Sequence, residues 1–262
     1  MREHLVRTYI AGEVATPRQS NLRNMRKMAE GEPYHQFGLD LGEWSYEETL
    51  AMMARLVGVS PDPQHFYGDD TIDPELTIDA LEAMGRRIGQ AADRRETLIL
   101  ATGHPTGLLP IYLELGKALR ARGCRVLTPA EGWSYEVWTP EGTAIRKIRY
   151  VDGVAMLSGG GSLHHTHDSA PMEAMLAKLS QANLAGESRH WPDLVIADHG
   201  WAGAAGEAGV TTLGFADCND PALFAGHARG KIEVAVPLDD NVLPRHYTPL
   251  IRYLFGCAGL IG

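Results

Sequence analysis

Histidines and carboxylates gather in five short stretches of the chain, each of which follows an apolar run. Imidazole, carboxylate and amide groups transfer protons and bind divalent ions, so these residue types indicate a hydrolytic or metal-binding site. The stretches are TGHPTG (102–107), SGGGSLHHTHD (158–168), DHGWAG (198–203), DCND (217–220) and LDDN (238–241).

Two of the stretches carry oxygen ligands suited to a hard divalent cation. Asp198 ends an apolar run and precedes His199, which is a typical placement for a metal ligand or a general base. Asp217, Asn219 and Asp220 follow the next run. We predict these four Asp and Asn residues as metal ligands, with Mg²⁺ or Mn²⁺ favoured and Zn²⁺ as a further candidate. Capping of the following helices is the alternative role of Asp198 and Asp220.

The histidines supply candidate acids and bases. His165 and His167 share a face if their segment is extended, whereas His164, His167 and Asp168 share one if it is helical. A three-histidine zinc site, a site shared with the carboxylates, and a phosphate cradle with one histidine as proton donor therefore remain open. The candidate catalytic residues are His104, His165, His167, Asp198 and His199.

Glycine-rich turns offer backbone N–H groups to phosphate oxygens. The alternative is that the glycines only serve the geometry of tight turns. Neither GxGxxG nor the P-loop pattern GxxxxGK[ST] is present, so a nucleotide fingerprint is not supported. Arg18, in a basic stretch, is a candidate clamp for phosphate, although a solvated helix face explains that stretch equally well. The candidate phosphate-binding residues are Gly103, Thr106, Gly107, Gly159, Gly160, Gly161 and Arg18.

The elements that must position these groups follow from the hydrophobic pattern. From residue 96 onward, short apolar runs alternate with helical segments, which is typical of a parallel sheet covered on both faces. The sequence predicts an α/β fold with a doubly wound, mostly parallel sheet in three α/β/α layers. Ligands bind beyond the carboxyl ends of such strands, so the five stretches should converge. The predicted strands are 97–102, 124–129, 151–158, 193–198, 210–217 and 232–238, and the predicted helices are 107–123 and 170–184.

Residues 1–95 are predicted as a helical N-terminal cap on the Rossmann-like core of residues 96–262, the two forming one integrated domain. Helices are expected over 45–59, where Ser45 and Glu48 have the spacing of a capping box, and over 73–95.

Composition excludes several classes of protein. The 262 residues are 44% hydrophobic and carry a formal net charge of −9, which argues against non-specific nucleic-acid binding. The three cysteines are odd in number and show no paired spacing, which fits a protein of the reducing cytoplasm. We see no signal peptide and no transmembrane run, so a cytoplasmic protein without a membrane partner is expected, and a homo-oligomer is compatible with the sequence.

The set ATGHPTGLL, LHHTHD, PDLVIADHGWAGAAG, GFADCNDPAL and VPLDDNV resembles an actinobacterial family of proteins labelled phosphatase. The resemblance covers most of the chain, and the DHGWAGAAG and GFADCNDPAL stretches are its most specific parts. It implies a phosphatase, but neither a substrate nor a set of residue roles.

The residues and the resemblance together predict metal-dependent hydrolysis of a small phosphomonoester. A divalent ion would polarise the phosphate and lower the pKa of an attacking water, with His104 or His199 as general acid or base. A phosphoenzyme route remains open, although the DxDx[TV] motif of aspartyl-phosphatases is absent. The alternatives are a sugar-phosphate- or nucleotide-binding isomerase or transferase, and a non-catalytic protein that binds a small ligand.

Overall fold

A computed structural model describes residues 1–140, 142–186 and 190–260. The helices are α1 (Arg2–Arg7), α2 (Arg18–Ala29), α3 (Tyr46–Leu56), α4 (Pro74–Arg94), α5 (Leu109–Ala121), α6 (Ala170–Leu184), α7 (His199–Glu207), α8 (Pro221–Ala228) and α9 (Thr248–Cys257). The strands are β1 (Gly12–Pro17), β2 (Asp69–Ile72), β3 (Thr97–Ala101), β4 (Arg125–Val126), β5 (Ser134–Thr139), β6 (Gly142–Val151), β7 (Val154–Gly159), β8 (Ser162–His164), β9 (Leu194–Asp198), β10 (Thr212–Ala216) and β11 (Val234–Pro237).

The predicted α/β fold with a mostly parallel sheet is confirmed. The main sheet runs in the order β11-β10-β9-β3-β7-β6-β5, and β3, β7, β9, β10 and β11 pair in parallel. Strands β9 and β10 are buried at every position, as continuous apolar runs between two helical layers should be. The carboxyl ends of the five parallel strands therefore meet at one edge.

One side of the sheet differs from the prediction. Strand β4 covers only Arg125–Val126 of the strand predicted over 124–129. A hairpin of β5 and β6 then extends the sheet with antiparallel pairs, and the strand predicted from residue 151 begins only at Val154. The alternating half-buried and exposed positions of β5 and β6 are the period-2 pattern of a sheet with one solvated face.

The N-terminal region contains more than helices. Strands β1 and β2 form a separate antiparallel ribbon. Ser45 and Glu48 form the expected capping box at the start of α3. Helix α4 begins after Asp73, whose side chain accepts from the Glu75 N–H, and it packs on β11 and α9 as part of a layer covering the sheet. Helices α2 and α3 contact α8, so the N-terminal region lies against the chain that follows β10.

No helix in the described part of the chain is long and apolar enough to cross a membrane.

Candidate functional site

The ends of two parallel strands and one returning loop bring four histidines together. His104 follows β3, His199 follows β9, and the loop after β8 carries His165 and His167. The imidazole ring centroids of His165 lie 4.7 Å from those of His104, 4.9 Å from His167 and 5.0 Å from His199. These four rings are the histidine cluster.

His199 lies at the centre of the cluster and is held rigidly. Its Nδ1 lies 2.7 Å from Asp198 Oδ1, and its Nε2 lies 3.3 Å from Asp220 Oδ2 and 3.5 Å from Asp240 Oδ2. Its φ is +49°, a left-handed conformation that costs a non-glycine residue about 1–2 kcal/mol and that folds tolerate mainly at functional positions. The backbone thus aims Nε2 of His199 at the carboxylates of Asp220 and Asp240.

Asp198 orients His199 and has no oxygen left for an ion. Oδ1 accepts the Gly103 N–H at 2.6 Å as well as bonding His199, and Oδ2 accepts the Tyr112 hydroxyl at 2.8 Å. The carboxyl is completely buried. The structure therefore corrects the assignment of Asp198 as a metal ligand, because a carboxylate behind a histidine fixes the ring and frees the far nitrogen for a ligand.

Of the predicted ligands in the stretch after β10, the structure brings only Asp220 to the histidines. Asp220 reaches His199, and its Oδ1 is buried without a hydrogen-bond partner among the described residues. Asp217 instead accepts the Thr16 hydroxyl at 2.8 Å and the Cys218 N–H at 2.6 Å, so both of its oxygens are bonded. Asn219 lines the cavity without joining the histidines.

Asp240 is the principal residue missing from the predicted site. It lies beyond β11, with Oδ2 3.2 Å from His104 Nδ1, while Asn241 Oδ1 lies 3.3 Å from His104 Nε2. The position of LDDN at a strand end was visible in the sequence. Which of its two aspartates faces the cluster depends on packing, because Asp239 Oδ1 turns back to accept the Asn241 N–H.

The predicted phosphate-binding glycines have other roles. The N–H of Gly103 is taken by Asp198, and that of Gly107 by the carbonyl of His104. Both glycines allow close packing, since a Cβ at Gly103 would lie 2.4 Å from the Thr166 carbonyl oxygen and one at Gly107 only 2.0 Å from that of Asp240. These contacts correct the cradle hypothesis for Gly103 and Gly107.

The other predicted phosphate ligands lie elsewhere, with one exception. Gly159, Gly160 and Gly161 belong to the hairpin of β7 and β8, not to a strand-to-helix turn. Arg18 is fully buried and pairs with Asp70 at 2.8 Å. This ion pair and bonds to three loop carbonyls consume the guanidinium, so Arg18 cannot clamp a ligand in the cavity. Thr106 does line the cavity, in an exposed position.

The N-terminal region supplies a wall that the sequence did not predict. Tyr34 stacks on His167 with ring centroids 4.8 Å apart, and Phe37 meets the edge of the same ring at 4.9 Å. His167 stacks in turn on His199 at 4.8 Å. A cavity of about 550 Å³ opens over the cluster, and no lysine or arginine is among the described residues that line it.

The four histidines of the cluster form two groups, one with raised and one with lowered pKa values. Burial alone lowers the pKa of His199, but the carboxylates of Asp220 and Asp198 outweigh it and hold that pKa well above its ordinary value. The pKa of His104 is also raised, since its bond to Asp240 overcomes burial. Burial and the neighbouring charge of His199 lower the pKa of His165 to about 4 and that of His167 to about 2. His165 and His167 are therefore neutral at pH 7.

The donor set fits a divalent ion. His104, His165 and His199 bring ligand atoms within 4.8 Å of one another, and so do His167, His199 and Asp220. The second group includes two buried atoms without a hydrogen-bond partner in the described chain, His167 Nδ1 and Asp220 Oδ1. Buried polar atoms that the protein leaves unpaired call for a partner, and imidazole and carboxylate donors are ligand types that a divalent cation accepts.

Comparison with known proteins shows the family to which the chain belongs. A family model described as Phosphatase matches residues 1–262, and the chain belongs to that family. A curated relative, Phosphatase SCO2771 of Streptomyces coelicolor, is 50% identical over 263 residues, covering 99% of this chain and 95% of the relative. The resemblance noted from the sequence is thereby confirmed.

Proposed function

We propose that the chain is a metal-dependent phosphatase that hydrolyses a small phosphomonoester in the cavity over the histidine cluster. The family and the name of its Streptomyces relative support a phosphatase. The observation that carries the metal is the pair of buried atoms His167 Nδ1 and Asp220 Oδ1, which have no hydrogen-bond partner among the described residues although His167, His199 and Asp220 offer ligand atoms within 4.8 Å of one another. Imidazole and carboxylate groups are donors that divalent cations accept, so a bound ion would give both atoms a partner.

His167, His199 and Asp220 are the ligands that we assign to the ion. Imidazole-rich sites favour Zn²⁺ or Mn²⁺ over Mg²⁺, which prefers oxygen ligands, so we place zinc and manganese ahead of magnesium. When bound, the ion supplies positive charge to the phosphate oxygens and makes a water acidic enough to attack phosphorus. Asp198 fixes the ring of His199 through Nδ1 and keeps Nε2 directed at the ion.

His104 is the proton donor in this proposal. It lines the same cavity, and the Asp240 carboxylate 3.2 Å from its Nδ1 outweighs burial and raises its pKa, which favours the protonated imidazole. A protonated imidazole beside the departing alkoxide can deliver a proton to it, which makes the alcohol a better leaving group. His165 is neutral, lies at the exposed side of the cluster and contacts the substrate between the ion and the solvent. Thr106 offers a hydroxyl to a phosphate oxygen.

The test is phosphate release by protein stripped with a chelator and reloaded with Zn²⁺, Mn²⁺ or Mg²⁺. The substrates are sugar, nucleotide and amino-alcohol monophosphates, together with p-nitrophenyl phosphate and its bis-ester. We expect turnover of monoesters only after reloading, and loss of at least about 1,000-fold in kcat for His199→Ala.

His227→Ala is the matched control, because that histidine lies on α8, outside the cavity lining, and its hydrogen bond within the described residues is to the Ile232 carbonyl. Full activity in chelator would refute the metal. Preference for the bis-ester would refute the monoester assignment. Absence of turnover across all substrates and metals would favour a non-catalytic ligand-binding protein.

A further inference from the structure

A second cavity, of about 500 Å³, adjoins the histidine cluster. Tyr34, His165 and His167 line both cavities, so the two share a wall of three rings. The far side of the second cavity is formed by the β5–β6 hairpin and the end of β7, through Tyr135, Val137, Arg146 and Leu157. We call this space the hairpin cavity.

Arg146 is the cation of the hairpin cavity. No other lysine or arginine is among the described residues that line it. Arg146 lies directly opposite Tyr135 in the antiparallel pair, and both are half-buried on the face of the hairpin turned toward the cavity. Among the described residues the Arg146 guanidinium has no hydrogen bond or ion pair, although its charge acts on the neighbouring Tyr135 hydroxyl.

The backbone makes room for this arginine. A Cβ on Gly159 would lie 2.8 Å from Arg146 Nη1 and 3.3 Å from its Cδ, so the side chain crosses the bare backbone of β7. A side chain at residue 159 would push the guanidinium out of place. The position of Arg146 is thus built by the sheet and is not an accident of a mobile surface group.

Asp168 is the one carboxylate among the described residues that line the hairpin cavity, and it does not form an ion pair with Arg146. Asp168 Oδ1 accepts the Ala170 N–H at 3.0 Å, and burial together with this carboxyl group raises the pKa of the Tyr135 hydroxyl. Asp168 is therefore engaged at the start of α6, and no ion pair joins it to Arg146 among the described residues. The guanidinium group of Arg146 is therefore available to bind an external anion. Its planar pair of N–H donors matches the geometry of a carboxylate or a phosphate.

We propose that the substrate carries a second anionic group, a carboxylate or a second phosphate, which Arg146 binds while the reacting phosphate lies at the histidine cluster. The proposal rests on the function proposed above and adds the class of the leaving group. The departing alcohol extends from the histidine cluster into the hairpin cavity and passes His165 on the way. Tyr34 and Tyr135 lie on either side of its carbon skeleton. Arg146 is a specificity-determining residue in this arrangement and takes no part in bond cleavage.

Matched substrates test the proposal. Phosphoglycolate is compared with ethylene glycol phosphate for a carboxylate, and glucose 1,6-bisphosphate with glucose 6-phosphate for a second phosphate. We expect the anionic member of at least one pair to be preferred by about 10-fold or more in kcat/KM, and the pair that shows it distinguishes the two sources. Arg146→Gln should raise KM for that substrate by about 10- to 100-fold, as loss of a charged hydrogen bond does, with Arg146→Lys intermediate.

The control variant is Arg149→Gln, which removes the same charge from the exposed face of the same strand. It should leave both members of each pair unchanged, and Arg146→Gln should leave p-nitrophenyl phosphate turnover within about twofold of the parent chain. No preference for any second anion, or an equal loss for charged and uncharged substrates in Arg146→Gln, would overturn the proposal.

A binding measurement separates this inference from the proposed function. Phosphonoacetate and methylphosphonate are not hydrolysed, and their affinities for the zinc-loaded chain can be compared by calorimetry. We expect Arg146→Gln to weaken phosphonoacetate alone. Turnover of esters without that effect would refute only the Arg146 site, whereas the effect without any turnover would refute only the phosphatase. Absence of both effects would refute both.

Discussion

Asp198 and His199 are neighbours in the chain, but the Asp198 carboxylate is buried behind the His199 ring, whose other nitrogen faces the cavity. Asp198 Oδ1 lies 2.7 Å from His199 Nδ1, inside the protein, while His199 Nε2 faces Asp220 and the cavity. The left-handed φ of His199 makes this possible, because an ordinary helical start would send its ring along α7.

Asp198→Asn should weaken zinc binding by about 10- to 100-fold without unfolding the chain. The amide keeps the shape of the carboxylate, and its NH2 group can donate to Tyr112, whose hydroxyl now donates to Oδ2. The ring of His199 keeps an acceptor for Nδ1 but loses its charged partner, so its far nitrogen becomes a weaker ligand. Competition with a chromophoric chelator measures the affinity, and unchanged binding would show that Asp198 does not position His199.

Tyr112→Phe should lower the free energy of unfolding by about 1–3 kcal/mol, because it leaves a buried carboxylate oxygen of Asp198 unpaired. The tyrosine is fully buried, and burial together with Asp198 raises the pKa of its hydroxyl well above the ordinary value, so the hydroxyl donates at all moderate pH values. Urea unfolding measures the loss. Tyr253→Phe, which removes an exposed-side bond to Glu82, is the control and should cost less.

Zinc binding at pH 7 should release about one proton. The pKa of His199 is raised in the metal-free chain, so the ring is charged at pH 7, and its Nε2 must lose a proton to become a ligand. His167, with a pKa of about 2, contributes none. Affinity should therefore fall as the pH is lowered, and calorimetry in Pipes and Tris buffers should give different enthalpies. Equal enthalpies in the two buffers would contradict the charge assigned to His199.

Gly107→Ala should reduce kcat more than Gly160→Ala. A Cβ at Gly107 collides with the backbone oxygen of Asp240 and displaces the partner of His104, whereas nothing lies within 4 Å of a Cβ at Gly160. Gly160→Ala should lower the free energy of unfolding by about 1 kcal/mol, because residue 160 has a positive φ that alanine adopts at a cost. It should leave KM for p-nitrophenyl phosphate unchanged. A raised KM in Gly160→Ala would restore that turn as a phosphate contact.

The edge of the sheet that carries the site could be predicted because parallel strands end on the same side. That rule places His104, His199 and Asp220 together with no knowledge of their contacts. It does not reveal which carboxylate faces the cavity. Asp198 is occupied by Gly103 and Tyr112, partners that are distant in sequence, and no local pattern records those bonds.

The remaining errors have different causes. The β5–β6 hairpin was missed although its alternating pattern is the ordinary signal of a half-exposed strand, so that information was present in the sequence. Tyr34 and Phe37 were missed because they lie in a short 3₁₀ helix (Pro33–His35) and the turn after it, and only tertiary packing brings them over His167. Arg18 was misassigned because charge alone does not distinguish a buried ion pair from a free cation.

The bond from the Thr16 hydroxyl to Asp217 joins residues 201 positions apart, and Asn24 reaches the Asn219 carbonyl across 195. Contacts of such long sequence separation form late in folding, since a long loop must close before they can stabilise anything. The ribosome must therefore have released β10 before β1 and α2 can dock against its end. Thr16 and Asn24 line the cavity, so its wall is complete only after that docking, and a chain halted earlier would carry the histidines without this wall.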